Sequence, residues 1–456
     1  MGVRRSALVS WTLFDWACQP FFTLVTTFVF APYFAAALAP DAATGQAWWG
    51  YATAAAGLLL AVASPVLGSV ADATGRMKPW IAGCCAILAV ASTSLWFAGP
   101  GAHWAVPLAL AAFAIGTVAA EVAAVFNNAM MSRLVGPERL GRLSGTGWAV
   151  GYAGGLVSLV IVLGFMAASP ETGKTFFGLT PALGLDPATR EGDRASGPLA
   201  ALWLLVFVWP LFVFTPDAPG TGASARGAIR EGLARLRSTI GEARAQPAIG
   251  RFLLGNMIYQ DGLVALFAFG GIYGAGVFGW SPTELGIFGI LLTVSGTAGA
   301  VIGGFVDDRV GARPVILGSL AVLILVCVGI FSLGREHVLF AIRTEPPSGA
   351  GGLFASVPEK VFLGLGLLIG AVAGPLQASS RAYLARTVPP EHAGRYFGLL
   401  ALSGKVTSFL APLAVAVATQ ATGTQAAGPA VLIVFFAAGA ALIASIRRSS
   451  QPSRSP

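Results

Sequence analysis

Charge is scarce in this sequence. Charged residues make up 11% of the 456 residues, hydrophobic residues make up 55%, and the mean hydropathy is +0.76. A soluble domain of this length carries more charge, so the composition predicts a chain that crosses a membrane many times. The net charge of +8 does not indicate a nucleic-acid partner, because the basic residues lie in short loops rather than in one patch.

Residues suited to metal or redox chemistry are also few. The three histidines are scattered in predicted loops, and the four cysteines lie in apolar runs without the spacing of a metal site or a disulfide framework. We therefore expect no metal, no cofactor and no enzymatic activity. The Gly-x-x-x-x-Gly-Lys-Ser/Thr loop that binds nucleotide phosphates is absent from the sequence, which argues against a pump driven by ATP.

Long apolar runs dominate the sequence instead. A membrane-spanning helix needs about 20 apolar residues, and twelve runs come close to that length or exceed it. They lie at residues 8–38, 47–70, 79–99, 104–131, 143–167, 198–215, 249–278, 284–306, 314–334, 360–385, 397–419 and 428–446. With both termini in the cytoplasm, 21 of the 28 Lys and Arg residues lie at cytoplasmic ends and six lie outside, which favours this orientation.

The twelve runs divide into two sets of six. We expect an N-terminal half at residues 1–215, a cytoplasmic linker at 216–248, a C-terminal half at 249–446 and a cytoplasmic tail at 447–456. Within the linker, Ala225–Ala245 carries arginines among aliphatic residues at helical spacing. This pattern fits either a basic amphipathic helix on anionic headgroups or a solvated linker helix.

Two repeated patterns relate the halves. A glycine, three residues, an aspartate, two residues and a second glycine occur at 68–75 and again at 304–311. Each copy joins two predicted spans by a very short loop. A second pattern, Pro137–Arg142, recurs as Pro390–Arg395 at a similar offset. The halves are therefore predicted to be parallel copies of one six-helix unit.

Five ionisable residues lie within the predicted spans. Such residues cost at least about 2.5–3.5 kcal/mol at a helix centre, so they are candidates for function. Asp15, Asp261 and Lys405 each lie ten residues from a basic residue at the cytoplasmic end of their span, which places them about 15 Å deep. Glu121 is predicted to be equally deep, and Arg381 is predicted in the cytoplasmic third of the membrane.

Two interpretations of these residues stay open. They form a polar site for a small charged or zwitterionic solute, with an acid available to carry a proton, or they form ion pairs that hold the helices together. In the first case we expect Lys405 and Asp261 at the core of the site and Asp15 as the proton carrier. The Lys405 ammonium at this depth needs an acid or a solute as partner. Asn128, one turn from Glu121, either joins the site or forms an interhelical hydrogen bond.

The sequence resembles a known family. The glycine–aspartate loops, with Arg76 after the first, resemble the signature between helices two and three of the major facilitator superfamily (MFS). Further stretches are similar to the UMF1 family, the bacterial relatives of the fungal vacuolar amino-acid effluxer Atg22. They are Phe14–Ala17, Phe28–Phe34, Asn128–Ala129, Pro137–Arg139, Ser144–Tyr152, Phe269–Tyr273, Gln377–Arg381 and Leu402–Phe409.

The resemblance implies an all-α integral membrane protein with the twelve-helix MFS fold, in which two six-helix pseudo-repeats surround a central cavity. It implies a monomeric secondary transporter in the cytoplasmic membrane of a bacterium. The expected partners are the lipid bilayer, a small solute such as an amino acid, and protons if transport is coupled to them. Two alternatives stay open: efflux of apolar or drug-like solutes, and a non-transporting sensor or scaffold.

The resemblance also predicts that the two loops act as gates. Because helix N-termini favour anions, we expect each loop aspartate to contact the N-terminus of a helix in the other half and to hold the cytoplasmic face shut. The expected neighbours are Gly394 and Phe397 for Asp72, and Gly141 and Ser144 for Asp308. The predicted gate residues are Gly68, Asp72, Gly75, Arg76, Gly304, Asp308, Gly311 and Arg313.

Overall fold

Apolar helices make up nearly all of the secondary structure in the computed structural model. The model describes residues 4–221, 227, 241, 246–280, 282–340, 342–344, 353–405 and 407–446. Among these residues, eleven helices are long and apolar enough to cross a membrane. They are α1 Arg5–Leu38, α2 Thr44–Thr74, α3 Lys78–Phe97, α4 Ala105–Leu134, α5 Pro137–Met166, α6 Glu191–Phe214, α7 Pro247–Phe278, α8 Glu284–Val310, α9 Ala312–Phe331, α10 Val357–Thr387 and, last in the chain, α13 Ala427–Ala444. Most of the predicted linker helix Ala225–Ala245, and the tail 447–456, lie outside the described residues.

Predicted span eleven is not one helix. It consists of α11 Ala393–Ser403 and α12 Leu410–Thr422, with turns at Gly404, Lys405 and Thr407–Phe409 between them. The hydroxyl groups of Ser403 and Ser408 donate to the carbonyl oxygens of Leu400 and Lys405. Such local bonds compete with the helical backbone, and the glycine and β-branched residues here form helix poorly. The span predicted at 397–419 is therefore interrupted near its middle rather than formed by one helix.

The two glycine–aspartate loops end their helices in the same way. Gly75 follows α2 with φ +76°, and Gly311 follows α8 with φ +89°. Residues with a Cβ rarely adopt these angles, whereas glycine does so at little cost. A new helix starts within three residues of each glycine. We call the end of the bundle that carries these two loops the hairpin end.

Proline gives α1 a distinctive contact with α6. Pro20 has no N–H, so the Trp16 carbonyl oxygen loses its partner four residues on, and the indole N–H of Trp203 on α6 donates to this oxygen at 3.1 Å. The Trp16 and Trp203 rings also stack, with centroids 5.4 Å apart. Beyond Pro20 the backbone continues as π-helical turns at Phe21–Phe28 and Phe34–Leu38.

The helices pack as two sets. α1 packs on α5 and α6, α3 on α4 and α6, and α2 on α4, whereas α7 and α9 pack on α13, and α8 and α9 pack on α10. The two sets meet mainly where α5 packs on α8 and α10, and where α11 packs on α2 and α4. Outside the helices, β1 His337–Val338 and β2 Ile342–Arg343 form a short antiparallel pair.

Candidate functional site

Arg381 on α10 lies at the centre of a polar cluster between the two sets of helices. Its Nε donates to the Ser144 hydroxyl at 2.8 Å, and its Nη2 donates to the Ser144 carbonyl oxygen at 2.7 Å. Its Nη1 donates to Asp15 Oδ2 at 3.2 Å and to Asn128 Oδ1 at 2.9 Å. Three helices, α1, α4 and α5, therefore hold the guanidinium. One N–H on Nη2 has no acceptor among the described residues.

Small and aromatic residues shape this cluster. The Arg381 guanidinium carbon lies 5.1 Å from the Trp11 ring centroid and 5.9 Å from that of Trp148, within the range of cation–π attraction. A Cβ at Gly147 would lie 2.8 Å from Arg381 Nη2, so only glycine lets α5 approach this closely. Trp11 is fixed in turn by its indole N–H, which donates to the Asn127 carbonyl oxygen at 2.8 Å.

A second charged pair lies beside the interruption of span eleven. Lys405 Nζ is 2.7 Å from Glu121 Oε1 on α4, and the Lys405 and Glu121 side chains are 36% and 21% exposed. By comparison, Arg381 is 7% exposed and Asp15 is 19% exposed. The pair at Lys405 is thus the more accessible of the two, and both pairs join the two sets of helices.

The structure gives each base its partner. Lys405 was expected to need an acid or a solute as partner, and the acid is Glu121 on α4 rather than Asp261 or Asp15 among the described residues. Arg381 is buried and bound by Asp15 and Asn128, because its neighbours on α1, α4 and α5 supply acceptors.

Asp261 on α7 belongs to neither pair. The residue is 1% exposed, and its Oδ1 has no hydrogen-bond partner among the described residues. The neighbour of its carboxylate is the side chain of Thr407, in the turn between α11 and α12. One and a half turns away along α7, the Asn256 amide donates to the Ser403 hydroxyl at 3.2 Å. The polar face of α7 therefore lies against both ends of the interruption.

The first loop aspartate contacts the predicted helix. The amide N–H groups of Gly394 and Arg395, at the start of α11, donate to Asp72 Oδ1 and Oδ2, each at 2.8 Å. The expected contact between Asp72 and Gly394 is confirmed. A Cβ at Gly394 would lie 2.6 Å from Asp72 Oδ1, so the carboxylate needs glycine at this position. We call this arrangement the first clasp.

The second loop aspartate makes the equivalent contact and adds ion pairs. The Gly141 amide donates to Asp308 Oδ1 at 2.9 Å, as expected, and Arg142 Nε lies 3.1 Å from Asp308 Oδ2. Arg386 on α10 pairs with Asp308 at 3.3 Å and with the neighbouring Asp307. Ser144 does not join this second clasp, because its hydroxyl binds Arg381 instead.

Glycines bring the helices together behind each clasp. A Cβ at Gly68 would lie 2.7 Å from the Gly394 carbonyl carbon, and one at Gly145 would lie 2.9 Å from the Gly304 Cα atom. The other predicted gate residues lie elsewhere. Gly75 and Arg76 are beside residues 219–220, and the Arg313 guanidinium donates to the last carbonyl oxygens of α13. At the hairpin end the two sets of helices are thus joined by two clasps and two glycine contacts.

Three contributors were missed by the sequence reasoning. Ser144 supplies two acceptors to Arg381, although the sequence reasoning had placed it beside Asp308. Asp307 and Arg386 belong to the second clasp. The signal for Asp307 was an acid directly beside the motif aspartate. The signal for Arg386 was an arginine that precedes the repeated pattern by four residues, as Arg133 does in the first half.

Comparisons with known proteins agree with this geometry. Residues 137–451 match the family model described as "Vacuole effluxer Atg22 like". The chain is 26% identical over 96% of its length to the "Uncharacterized MFS-type transporter YxiO" of Bacillus subtilis, of which it covers 94%. It is 25% identical over 64% of its length to "Autophagy-related protein 22" of Cryptococcus neoformans, and it spans about half of that fungal protein (48%).

Solved structures share the arrangement of helices. The human organic anion transporter MFSD10 superposes with a TM-score of 0.69 at 16% identity, over 96% of this chain and 99% of the other. The MFS transporter FucP in the outward conformation superposes with a TM-score of 0.70 at 13% identity, over 97% and 99%. At these identities the likeness shows a common fold and nothing further.

Proposed function

Because the chain belongs to the Atg22-like vacuole effluxer family and is a multi-pass MFS-type transporter rather than an enzyme, we propose that it carries amino acids or similar zwitterions across the membrane. The predicted family and the predicted all-α MFS fold are both confirmed. The amino-acid substrate, a coupling to protons and a monomeric state are part of the proposal.

The observation that carries the proposal is the pairing of every charge in the central cluster. Arg381 faces Asp15, and Lys405 faces Glu121. If an anionic solute bound to Arg381 or Lys405, the ion pair of that base would break. The carboxylate of Asp15 or Glu121 would then lack a partner in a poorly hydrated site. A zwitterion brings one charge of each sign, so its carboxylate on a base and its ammonium on an acid leave no charge unmatched.

The donors at the site suit a carboxylate. The free N–H on Arg381 Nη2 and the ammonium of Lys405, which has three donors, are available without breaking the bonds to Ser144. Glu121 Oε1 and Asp15 Oδ2 accept the bonds that an ammonium group would donate. The more exposed Lys405–Glu121 pair is the one that a solute meets first, and the buried Arg381–Asp15 pair lies behind it.

The second candidate for the substrate is an apolar solute, and one cavity supports it. A space of about 270 Å³ lies between α7, α12 and α13 and is lined mostly by apolar side chains, among them Phe269, Tyr273, Val415 and Leu432. It lies away from the charged cluster. A drug-like solute bound there would not need the buried charges, which separates this candidate from the first.

The cellular location of the protein is part of the same proposal. A bacterial relative matches nearly the whole chain, and the basic residues are concentrated at the hairpin end and at the two termini. These observations support a cytoplasmic membrane location with the hairpin end and both termini inside. The proton gradient of that membrane would then be available to drive efflux.

Counterflow in proteoliposomes tests the proposal. Vesicles loaded with unlabelled alanine should accumulate labelled alanine, and the accumulation should be inhibited by glycine. Propionate lacks the ammonium and ethylamine lacks the carboxylate, so neither should inhibit. Inhibition by propionate equal to that by glycine would show an anion transporter instead. Exchange of the apolar dye Nile red, with no alanine exchange, would favour the second candidate.

A further inference from the structure

One buried carboxylate takes no part in the proposed solute site. Asp261 on α7 is almost fully buried, and its Oδ1 has no hydrogen-bond partner in the part of the chain that the structure describes. Its neighbour is Thr407, in the turn where span eleven is interrupted. An ionised carboxylate in such a place lacks the partners that would offset its lost hydration.

The charged groups around α7 are engaged elsewhere. Lys405 is bound to Glu121, and Arg381 is bound to Asp15. On α7 itself, the Tyr259 hydroxyl shares a hydrogen bond with Ser380. The ionisable residues on the elements packed against α7 are Glu359, Lys360, Arg381, Tyr383 and Arg386 on α10, Arg395 and Tyr396 on α11, and Lys405 after α11, with none on α12 or α13.

We propose that Asp261 is the group that takes up and releases the coupling proton, and that the interruption of span eleven responds to its charge. The coupling role of Asp261 rests on the proposed transport function, whereas the protonation of Asp261 does not. It replaces the expectation that Asp15 carries the proton, because Asp15 is held by Arg381, whereas no ion pair to Asp261 is found among the described residues.

The response of span eleven follows from the position of Thr407. When Asp261 is neutral, it is a hydrogen-bond donor that the Thr407 hydroxyl can accept, and Lys405 stays on Glu121. When Asp261 is ionised, it attracts the nearest ammonium in the same turn, which belongs to Lys405, two residues from Thr407. Glu121 is then left free for the ammonium of a solute. Loss of the proton therefore prepares the more exposed pair for binding, and uptake of the proton restores it.

Infrared titration of the purified protein tests the protonation without any solute. The wild type should show the C=O stretching band of a protonated carboxylic acid that disappears as pH rises. Asp261→Asn should lack this band, and Asp15→Asn should retain it. A band that is lost in Asp15→Asn and kept in Asp261→Asn would overturn the assignment, and so would a wild type without a titrating band.

A second pair of variants keeps the test decisive if Asp261→Asn does not fold. Thr407→Val removes the hydroxyl beside the carboxylate, so the band should titrate at a different pH from that of the wild type. Thr419→Val, a matched change further along α12, should leave the titration unchanged. Equal titration in both variants would show that the band does not arise beside Thr407.

The transport role has its own readout. In Asp261→Asn, which cannot ionise, alanine counterflow at equal pH should be slower than in the wild type, and acceleration by a pH gradient should be lost. Retention of that acceleration would contradict the coupling role. If the wild type does not exchange alanine at all, the proposed substrate fails, but the infrared result still decides whether Asp261 is the proton site.

Discussion

Replacing Gly68 with alanine should open the hairpin end. The new Cβ would lie 2.7 Å from the Gly394 carbonyl carbon, whereas ordinary van der Waals contact begins at 3.4 Å. The Gly394 carbonyl oxygen would lie closer still, so the α2 and α11 helices must separate by at least about 0.7 Å, which also lengthens the two hydrogen bonds to Asp72. Overpacking of this kind costs about 1–3 kcal/mol. If only the closed form bears that cost, the ratio of open to closed forms rises about 5- to 150-fold.

Thiol labelling measures this change. Ser379 is only 1% exposed and lies beside Asp307, under the second clasp. After the native cysteines are replaced, Ser379→Cys provides a reporter thiol of similar size. A water-soluble maleimide should react faster with this reporter in Gly68→Ala than in the unchanged protein. Gly50→Ala is the matched control, since it lies on the same helix and its Cβ meets nothing within 4 Å. Equal labelling rates in Gly68→Ala and Gly50→Ala would refute the reasoning.

Three further predictions follow from the charged contacts. Asp72→Asn should also increase labelling of the reporter, but by less than Gly68→Ala does. An anion at a helix N-terminus contributes only about 0.3–1 kcal/mol. Unchanged labelling would contradict a lock at this position. Glu121→Gln should lower the midpoint of thermal unfolding in detergent more than the double variant Glu121→Gln/Lys405→Met does, because the single change leaves the Lys405 ammonium without its partner. The reverse order would show that the pair is not stabilising. Reporter fusions after Asp186 and after Arg235 should lie in opposite compartments, and a shared compartment would contradict the proposed orientation.

The clasps were predictable from sequence because they depend on local rules. A carboxylate in a short loop needs donors, and a helix N-terminus supplies them. The resemblance to the MFS indicated which N-terminus each aspartate would meet. The contacts of Asp72 with Gly394 and of Asp308 with Gly141 follow from these two facts.

The charged pairs were not predictable in the same way. Counting residues along a helix estimates depth, but it does not say which side chains lie beside a residue at that depth. The Arg381 contacts come from Asp15, Asn128 and Ser144 on three other helices, and no pattern in the sequence of α10 encodes them. The identity of the acid beside Lys405 was not predictable for a second reason, because residues after Ser403 leave the α-helical path on which the depth estimate relied.

The measurement that tests the zwitterion site most directly is alanine counterflow in Arg381→Lys. Lysine keeps the charge but cannot reproduce the planar set of donors that binds Ser144, Asp15 and Asn128 together. Loss of one or more charged hydrogen bonds, each worth about 1.5–3 kcal/mol, should weaken the apparent affinity for alanine about 10- to 150-fold. Arg343→Lys, on the exposed strand β2, should exchange alanine as the wild type does. Equal affinities in the two variants, with both proteins folded, would contradict the account.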